Sequence, residues 1–304
     1  MGQLEDMSAF VRIVEAGSIS RAAEQMGVAK SAVSRRLVDL EGRLGVQLLN
    51  RTTRRSNLTD AGSSYYQRAL HILADVNELN AETADSKAAL VGSLKVAAPL
   101  SFGLLHLTPA ITDFATKHPG VVFDLDFSDR QIDLVDEGFD LAVRIAELDD
   151  SSHMARRLAP ISLALCASPD YLRARGEPRE PNDLKSHDML HYTLGPGRAW
   201  KFIDPKGREV SVRLPTRMNA SSGDFLRSAA LAGLGITVLP AFVAWRDIEA
   251  GLLVPVMSDY VLPARSAYAV YPQTRHLSLR VRAFIDFLVE RFSGIPEWEA
   301  CLQA

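Results

Sequence analysis

The first 45 residues of the sequence hold three segments of helical periodicity, each followed by a single glycine. Gly17, Gly27 and Gly45 take these positions, and a glycine after the last periodic residue is a helix stop signal. Ser18 or Ser20 can cap the second segment. The sequence therefore predicts three short helices, with a tight turn at Gly27 between the second and the third. Apolar residues at spacings of three and four form their inward faces, namely Leu4, Met7, Phe10, Val11 and Val14 in the first segment, Ala22, Ala23 and Met26 in the second, and Val33, Leu37, Leu40 and Leu44 in the third.

The third predicted helix, which begins near Ala29, carries a second row of side chains away from its apolar face. Ser31, Ser34 and Arg35 stand at i, i+3 and i+4, and Lys30 stands at the helix start. Two helices joined by a tight glycine turn form a helix-turn-helix, whose second helix lies in the major groove of DNA. Arginine can bind guanine edges through two hydrogen bonds, and serine reaches bases or phosphates. The row is either a DNA-reading surface or an ordinary solvated helix face.

A basic turn follows in VQLLNRTTRRSNLT, residues 46–59. The segment predicts two short extended pieces around the turn, an arrangement that resembles a winged-helix hairpin. Residues 28–59 hold seven Lys or Arg against two Asp or Glu, although the whole chain has a net charge of -3. This local charge, which includes Arg51, Arg54 and Arg55, suits phosphate or minor-groove contact and favours DNA over the solvated-face alternative.

A long helix is predicted from a cap at Thr59 to about Leu90. Its narrow apolar stripe has spacings of three and four. The stripe either packs on the chain's own domain or forms a dimerisation seam, and its length favours the seam. The residues of the stripe are Tyr65, Ala69, Ile72 or Leu73, Val76, Leu79 and Thr83.

From Gly92 onward, short apolar runs alternate with helical stretches, which predicts an α/β domain with a parallel or mixed sheet. The predicted strands are SLKVAAP, VVFDLDF, FDLAVRI, LALCASP, GITVLPA and SAYAVYP. The helix with Val281, Phe284, Ile285, Leu288 and Phe292 on one face is expected to cover a sheet begun much earlier in the chain. The predicted strands can be divided into two sheets at about Pro160, and the chain returns to the first sheet near Arg265. Two lobes joined in this way enclose a cleft, where small ligands usually bind.

The run AAEQMGVAKSAVSRRLVDLEGRLGVQLLNRTTRRSNLTDAG resembles the N-terminal signature of LysR-type transcriptional regulators, with the core S-R-x-L-x-x-L-E-x-x-L-G at Ser34 to Gly45. GSLKVAAPLSFG, the segment from Ile132 to Ile145, CASPDYL and AGLGITVLP are also similar to this family, so the resemblance covers essentially the whole chain. It implies an α+β multidomain protein: an N-terminal winged helix-turn-helix, a long linker helix that dimerises, and a C-terminal two-lobed α/β effector domain like periplasmic solute-binding proteins. The corresponding ranges are 1–59, 60–90 and 91–304, with lobe I at about 91–160 and 266–304 and lobe II at about 161–265.

The resemblance also implies partners and contact residues. Double-stranded operator DNA, a small-molecule effector and a second or further copies of the chain, as a homodimer or homotetramer, are expected, and RNA polymerase is a further expected partner. The family's motif places base contacts at Lys30, Ser31, Ser34 and Arg35, and backbone contacts at Arg51, Thr52, Arg54 and Arg55. Leu49 departs from the phenylalanine that many members have there, but it is apolar too, so we expect the wing to form.

The predicted effector site begins at Pro99–Gly103, where a strand ends and a helix begins. Free N–H groups and Ser101 at a helix N-terminus favour a carboxylate or another anion, and the alternative for Ser101 is a cap without a ligand. Trp200 either stacks on a flat ring or packs in a core or lid. Arg144 either meets an anionic ligand or pairs with Asp129 or another acid. The full set of candidates is Leu100, Ser101, Phe102, Ser128, Asp129, Arg144, Gly195, Trp200 and Ser222, with Gly197 and Ser221 as neighbours.

Other classes of function have little support in the sequence. No hydrolase elbow, zincin, phosphate-loop or dinucleotide motif is present, and the histidines lack ligand spacing, so neither an enzyme nor a metal site nor a cofactor is expected. A solute-binding or enzymatic α/β protein with an accessory helical domain is the competing hypothesis. Cys166 lies in an apolar run, which predicts a buried, inert thiol over a redox sensor. Without a signal-like start or a long apolar stretch, we expect a cytoplasmic protein that does not enter a membrane.

Overall fold

The computed structural model describes residues 2–52, 55–84, 90–147, 155–195, 199–263, 265–272 and 277–303. The chain divides into two compact units. The first comprises Met1–Ser93 with His118–Val122 and Ser278–Arg280, and the second comprises Leu94–Lys117, Phe123–Leu277 and Val281–Ala304. Within the described ranges, no helix is both long enough and apolar enough to cross a membrane.

The first unit is a helical domain with one hairpin. Its elements are α1 (Gln3–Ala16), α2 (Ile19–Met26), α3 (Lys30–Leu44), β1 (Leu49–Thr52), β2 (Arg55–Leu58) and α4 (Asp60–Ala84). The two strands pair antiparallel, with Leu49 opposite Leu58. This is the predicted winged helix-turn-helix followed by a long helix.

Local sequence signals determine where the first helices begin and end. Ser18 caps α2 by accepting a hydrogen bond from the backbone N–H of Arg21 at 3.3 Å, which decides between the two predicted caps. Gly27 and Gly45 follow α2 and α3 with φ of 66° and 69°, a left-handed conformation that residues other than glycine rarely adopt. Each helix therefore stops at its glycine.

The core of this unit is apolar and contains most of the predicted inward faces. Leu4 and Leu44 are exceptions, because both are exposed at 41%. They lie at helix ends, where fewer neighbours are available to cover them. The buried residues are Phe10, Ile13, Ala16, Ala22, Ala23, Val33, Leu37, Leu40, Leu48 and Leu49.

The first half of α4 packs on α1. Ala69 is buried against Met7 and Val11, and the rings of Tyr65 and Tyr66 meet Phe10 edge to face. This part of the predicted stripe therefore packs on the chain's own domain. Ile72 is exposed, whereas the side chains of Leu79 and Thr83 lie outside the described part of the chain.

The strands of the second unit form two five-stranded sheets and a hairpin. In chain order they are β3 (Gly92–Ala98), β4 (Val121–Phe127), β5 (Leu141–Ala146), β6 (Ala155–Ile161), β7 (Leu163–Ala167), β8 (Met189–Tyr192), β9 (Ala199–Ile203), β10 (Glu209–Arg213), β11 (Met218–Ala220), β12 (Ile236–Pro240), β13 (Val254–Pro255) and β14 (Arg265–Val270). The first sheet has the order β4-β3-β5-β14-β6, and the second has the order β11-β8-β12-β7-β13. Both sheets are mixed, since β3 pairs parallel with β5 while β14 pairs antiparallel with it, and β12 pairs parallel with β8 but antiparallel with β7.

The helices of this unit cover the sheets. They are α5 (Leu100–Phe102), α6 (Thr108–Lys117), α7 (Pro169–Arg175), α8 (Gly223–Leu231), α9 (Ala241–Glu249), α10 (Leu279–Arg291) and α11 (Glu297–Gln303), with a π-helical turn at Gly103–Leu107 between α5 and α6 and a 3-10 turn at Asp183–Ser186. Phe284 of α10 contacts Phe114 of α6 and Phe123 of β4, which places the predicted apolar face of α10 against the first sheet.

Helix α11, which falls in the predicted range 266–304 of the first lobe, has contacts on both sides of the domain. It packs on α9, which follows a strand of the second sheet. The Glu299 carboxylate accepts hydrogen bonds from the backbone N–H of Ser162 at 2.8 Å and from its hydroxyl at 2.5 Å. Ser162 lies between β6 and β7, and the indole N–H of Trp298 in α11 donates to the carbonyl oxygen of Pro160 in β6 at 3.3 Å. Helix α11 therefore contacts both sheets, and the extent of the first lobe stays a prediction.

Candidate nucleic-acid interface and effector cavity

The polar row of α3 lies beside the buried face of the helix. Lys30, Ser31 and Arg35 are exposed, and Ser34 is partly buried. In the buried face, Val33 is completely buried. The structure thus brings the four predicted base-contacting residues together on one accessible surface of the second helix of the helix-turn-helix.

A buried carboxylate anchors α3 to α1. Asp6 is completely buried, and its oxygens lie 2.8 Å from Arg43 Nη1 and 3.6 Å from Arg36 Nη1. A buried carboxylate is costly without such partners. Both arginines project from α3, so these ion pairs hold the helix in place without using Arg35.

The hairpin after α3 carries the predicted wing residues. The backbones of Arg51 and Thr52 lie in β1 and that of Arg55 in β2, with Thr52 opposite Arg55. Arg54 and Thr53 lie outside the described residues, as do the side chains of the whole stretch from Arg51 to Ser56. The hairpin itself is therefore observed, and the contacts of its basic side chains stay predictions.

A cavity of about 550 Å³ lies in the second unit, lined from both sheets. Six of the nine predicted effector residues line it: Ser101, Ser128, Asp129, Arg144, Gly195 and Trp200. Apolar side chains that the prediction did not include form much of the remaining wall, among them Ile132, Leu163, Val238, Leu239, Phe242, Val243 and Leu262.

The helix N-terminus at Pro99–Gly103 differs from the prediction of free N–H groups for an anion. The N–H of Leu100 donates to a carboxylate oxygen of Asp129 at 3.0 Å, and the hydroxyl of Ser101 donates to Asp224 at 2.6 Å. Asp129 thus places a negative charge where the prediction placed a ligand anion. An anionic group of a ligand at this end of the cavity would lie near the carboxylates of Asp129 and Asp224. Repulsion between like charges disfavours its binding there.

Leu100, Phe102 and Ser222 do not line the cavity. The Phe102 ring is completely buried and contacts Phe242 with ring centroids 5.2 Å apart, because the helix turns it into an aromatic cluster. Ser222 caps α8 by accepting a hydrogen bond from Phe225 N–H at 3.2 Å. Helix geometry therefore directs these side chains to structural contacts.

Tyr192, in β8 of the second sheet, lies near Asp129, which follows β4 of the first sheet. Burial, followed by the negative charge of Asp129, raises the pKa of Tyr192. The hydrogen bond from Ser101 to Asp224 also joins residues of the two sides of the cavity. Tyr192 and Asp224 were missed because their partners are distant in sequence.

Arg144 is the arginine of the cavity wall for which the described residues show no ion pair. Its guanidinium donates to the carbonyl oxygen of Ile132. No carboxylate pairs with it in the described part of the chain, so the predicted alternative of a pair with Asp129 is not observed there. Arg265, also in the wall, lies 3.6 Å from Glu147. The basic side chains of the wall are Arg130, Arg144, Lys201 and Arg265, and its acidic ones are Asp129 and Glu147.

Trp200 lines the cavity as part of a core. It is 7% exposed and packs with Phe202 and other apolar residues of the second sheet. Its indole N–H donates to Nδ1 of His191 at 3.2 Å, and Nε2 of His191 meets the carbonyl oxygen of Pro215 at 2.9 Å. Trp200 is therefore a fixed wall residue, which agrees with the packing alternative. Gly195 also lines the wall, whereas Gly197 lies outside the described residues.

Cys166 is completely buried in β7. Burial, with a smaller effect of Asp247, raises the pKa of its thiol to about 12. A thiol of this kind has almost no reactive thiolate, as the sequence predicted. Within the described residues, no cluster of three or more His, Cys, Asp or Glu could hold a metal ion.

A winged helix-turn-helix followed by a two-sheet domain with an internal cavity defines a class of protein: one that binds DNA and carries a domain for a small ligand. Two family models match the chain. That of the bacterial regulatory helix-turn-helix protein of the lysR family covers residues 4–63, and that of the LysR substrate binding domain covers residues 87–293. The chain therefore belongs to the LysR family of transcriptional regulators, which are not enzymes.

Individual relatives support the same assignment over nearly the full length. The chain is 37% identical over 300 residues to an HTH-type transcriptional repressor of Pseudomonas aeruginosa, covering 98% of this chain and 94% of the relative. It is 38% identical over 292 residues to the HTH-type transcriptional regulator CrgA of Neisseria meningitidis, covering 95% and 97%. The solved structure of CrgA matches with a TM-score of 0.61 and 37% identity, covering 95% of this chain and 99% of that chain.

Proposed function

We propose that this regulator reads a pseudo-palindromic operator through Lys30, Ser31, Ser34 and Arg35. In this proposal, Arg51, Thr52, Arg54 and Arg55 of the wing contact the DNA backbone and supply much of the affinity. The protein acts as a homodimer or homotetramer in the cytoplasm, where its DNA lies, and contacts RNA polymerase. Two copies related by a twofold axis would meet two half-sites of the operator.

The accessible row on α3 is the observation that carries this proposal. The four residues are held on one surface of the second helix of a helix-turn-helix, while Arg36 and Arg43 of the same helix are engaged with Asp6. Arg35 makes no ion pair in the described part of the chain, so its guanidinium is available for a guanine edge.

A hydroxyl-radical footprint on the DNA upstream of the chain's own coding sequence tests the operator proposal. The expected result is two protected half-sites, related by twofold symmetry, with centres about 10 bp or a multiple of that apart. Protection without symmetry, or protection that does not exceed that of a scrambled duplex, would contradict the proposal.

We also propose that a small carboxylate is the effector and binds in the cavity, with its anionic group towards Arg144. Arg144 supports this orientation because it lines the cavity without a carboxylate partner in the described residues. The Ser101 end already contains Asp129 and Asp224, so it suits a hydrogen-bond donor of the ligand. The apolar wall suits an aliphatic or aromatic body.

A thermal-shift screen of aliphatic and aromatic carboxylates, each beside its uncharged amide, tests the effector proposal. Some carboxylates are expected to raise the melting temperature more than their amides do, and Arg144→Gln should remove this difference. Arg156→Gln serves as a matched control, because Arg156 is a half-exposed arginine of β6 that does not line the cavity. If only uncharged compounds stabilise the protein, or if Arg144→Gln retains the preference for carboxylates, the proposal is wrong.

A further inference from the structure

Glu41 is a buried carboxylate on the helix that reads DNA, yet it does not belong to the DNA-facing row. It lies one turn before the end of α3 and is 9% exposed. Burying a carboxylate costs free energy unless hydrogen bonds compensate it. The hydrogen-bond partners of Glu41 therefore indicate the structural role of its buried carboxylate.

Both partners are backbone groups at the start of the wing. Oε1 of Glu41 accepts hydrogen bonds from the N–H of Leu48 at 2.8 Å and from the N–H of Leu49 at 3.3 Å. Leu49 opens β1 and forms the first pair of the hairpin with Leu58. Hydrogen bonds to an ionised acceptor are stronger than those between neutral groups. Glu41 thus ties the base of the wing directly to α3.

The same short segment is held from its other side by α4. The carbonyl oxygens of Gln47 and Leu48 accept hydrogen bonds from the Thr59 hydroxyl at 2.8 Å and 3.3 Å, and Leu48 also accepts one from Thr59 N–H at 3.0 Å. A Cβ on Gly62 would lie 2.0 Å from the Leu48 carbonyl oxygen, so the backbones are in close contact. Residues 47–49 are therefore fixed between two helices, and the hairpin departs from this fixed base.

We propose that Glu41 is a positioning residue for DNA binding: it orients the wing relative to α3 so that both can contact one duplex. This inference rests on the proposed roles of α3 and the wing. Glu41 itself touches no DNA in this arrangement. Without the Glu41 carboxylate, the hairpin is less firmly held and must be ordered when DNA binds. Because this ordering costs free energy, the phosphate contacts of the wing weaken.

The test compares full-length Glu41→Leu, which keeps an apolar side chain of similar volume, with Glu41→Gln, which keeps an acceptor oxygen. Binding to a fluorescein-labelled duplex of random sequence is measured by anisotropy at several salt concentrations. For Glu41→Leu we expect weaker binding and a salt slope smaller by about 1 to 2, corresponding to one or two lost phosphate contacts. Glu41→Gln should recover most of the slope. The ratio of affinities for upstream and random DNA should stay near that of the unsubstituted protein, because the row on α3 is intact.

An unchanged salt slope in Glu41→Leu would overturn the proposal. If this variant does not fold by circular dichroism, Glu41→Asp replaces it, because the shortened carboxylate no longer reaches both N–H groups; an unchanged slope there has the same consequence. Arg51→Ala distinguishes the proposed role of the wing from the proposed role of Glu41. If Arg51→Ala leaves the slope unchanged, the proposed role of the wing fails; if it lowers the slope while Glu41→Leu does not, only the positioning role fails.

Discussion

At the scale of single residues, burial determines what each polar group can do. Asp6 and Glu41 are buried carboxylates in the first unit, and each binds groups that hold α3 or the wing. Cys166 is buried without such partners, so desolvation suppresses its ionisation. On α3, by contrast, the proposed DNA-contacting residues Lys30, Ser31 and Arg35 are exposed, and Ser34 is partly buried.

Cys166 is expected to be inert in the folded protein. In a Cys301→Ser background, a thiol reagent such as Ellman's reagent at mildly alkaline pH should find no reactive thiol in the native state and one thiol after denaturation. The reason is that the pKa of Cys166 is raised to about 12 and the side chain is inaccessible. Rapid labelling of the native protein would show that Cys166 is accessible and ionised.

Removal of the Asp6 carboxylate is expected to destabilise the first unit. Asp6→Ala leaves Arg36 and Arg43 without this partner, and we expect a loss of about 2 kcal/mol in the free energy of unfolding, since both arginines retain solvent. Glu5→Ala, at an exposed site of the same helix, is the control with an expected change below about 0.5 kcal/mol. The sequence up to Ser93 contains no tryptophan, so tryptophan fluorescence does not follow the unfolding of this unit directly. Urea denaturation is therefore followed by far-UV circular dichroism, to which its helices contribute. Equal stability of the two variants would contradict the role of Asp6.

At the scale of elements, the wing is a short hairpin whose base is fixed by neighbouring helices. Thr59 caps α4 by accepting a hydrogen bond from Gly62 N–H at 2.9 Å, and its hydroxyl also bonds to the carbonyl oxygen of Gln47. One residue thus both starts α4 and secures the segment before β1. Close approach of the two backbones at Gly62 is part of the same contact.

Two glycine-to-alanine substitutions distinguish the effect of this close contact on stability from the effect of helix propensity. Gly62→Ala places a Cβ 2.0 Å from the Leu48 carbonyl oxygen, so we expect a destabilisation of about 1–3 kcal/mol. Gly42→Ala is the matched change in α3, where no atom lies within 4 Å of the added Cβ, and it should stabilise by about 0.5–1 kcal/mol. Chemical denaturation of both variants measures the difference. A stabilising Gly62→Ala would show that the close backbone contact is absent.

The elements of the first unit could be predicted because their signals are local. Periodicity, Ser18, Gly27 and Gly45 all act within one or two helical turns. The row from Lys30 to Arg35 followed from the same periodicity. By contrast, the bond between Ser101 and Asp224 joins residues 123 positions apart, and no local pattern reveals it.

In the cavity too, residues that follow from local sequence patterns could be predicted, whereas contacts between distant parts of the sequence could not. Ser101, Ser128 and Asp129 could be predicted because they follow strands of the first sheet. The direction of Phe102 and the capping of Leu100 by Asp129 depend on tertiary packing, so they were not predicted.

At the scale of the whole molecule, the proposed regulation is a linkage between two binding equilibria. A ligand in the cavity changes DNA affinity only if it binds the DNA-bound and free forms with different affinities. DNA must then change the affinity for the ligand by the same factor. The hydrogen bond from Ser101 to Asp224 and the approach of Tyr192 to Asp129 are contacts that a bound effector would alter.

We propose that the row on α3 selects the DNA sequence, and the Arg35→Ala variant tests this role. Unsubstituted protein and Arg35→Ala are titrated at one fixed salt concentration into labelled upstream duplex and into its scrambled counterpart, with fluorescence anisotropy as the readout. We expect Arg35→Ala to lose about 1–3 kcal/mol of the preference for upstream DNA, while its affinity for the scrambled duplex changes much less. If Arg35→Ala has unchanged affinity and unchanged preference, the row on α3 does not select the sequence.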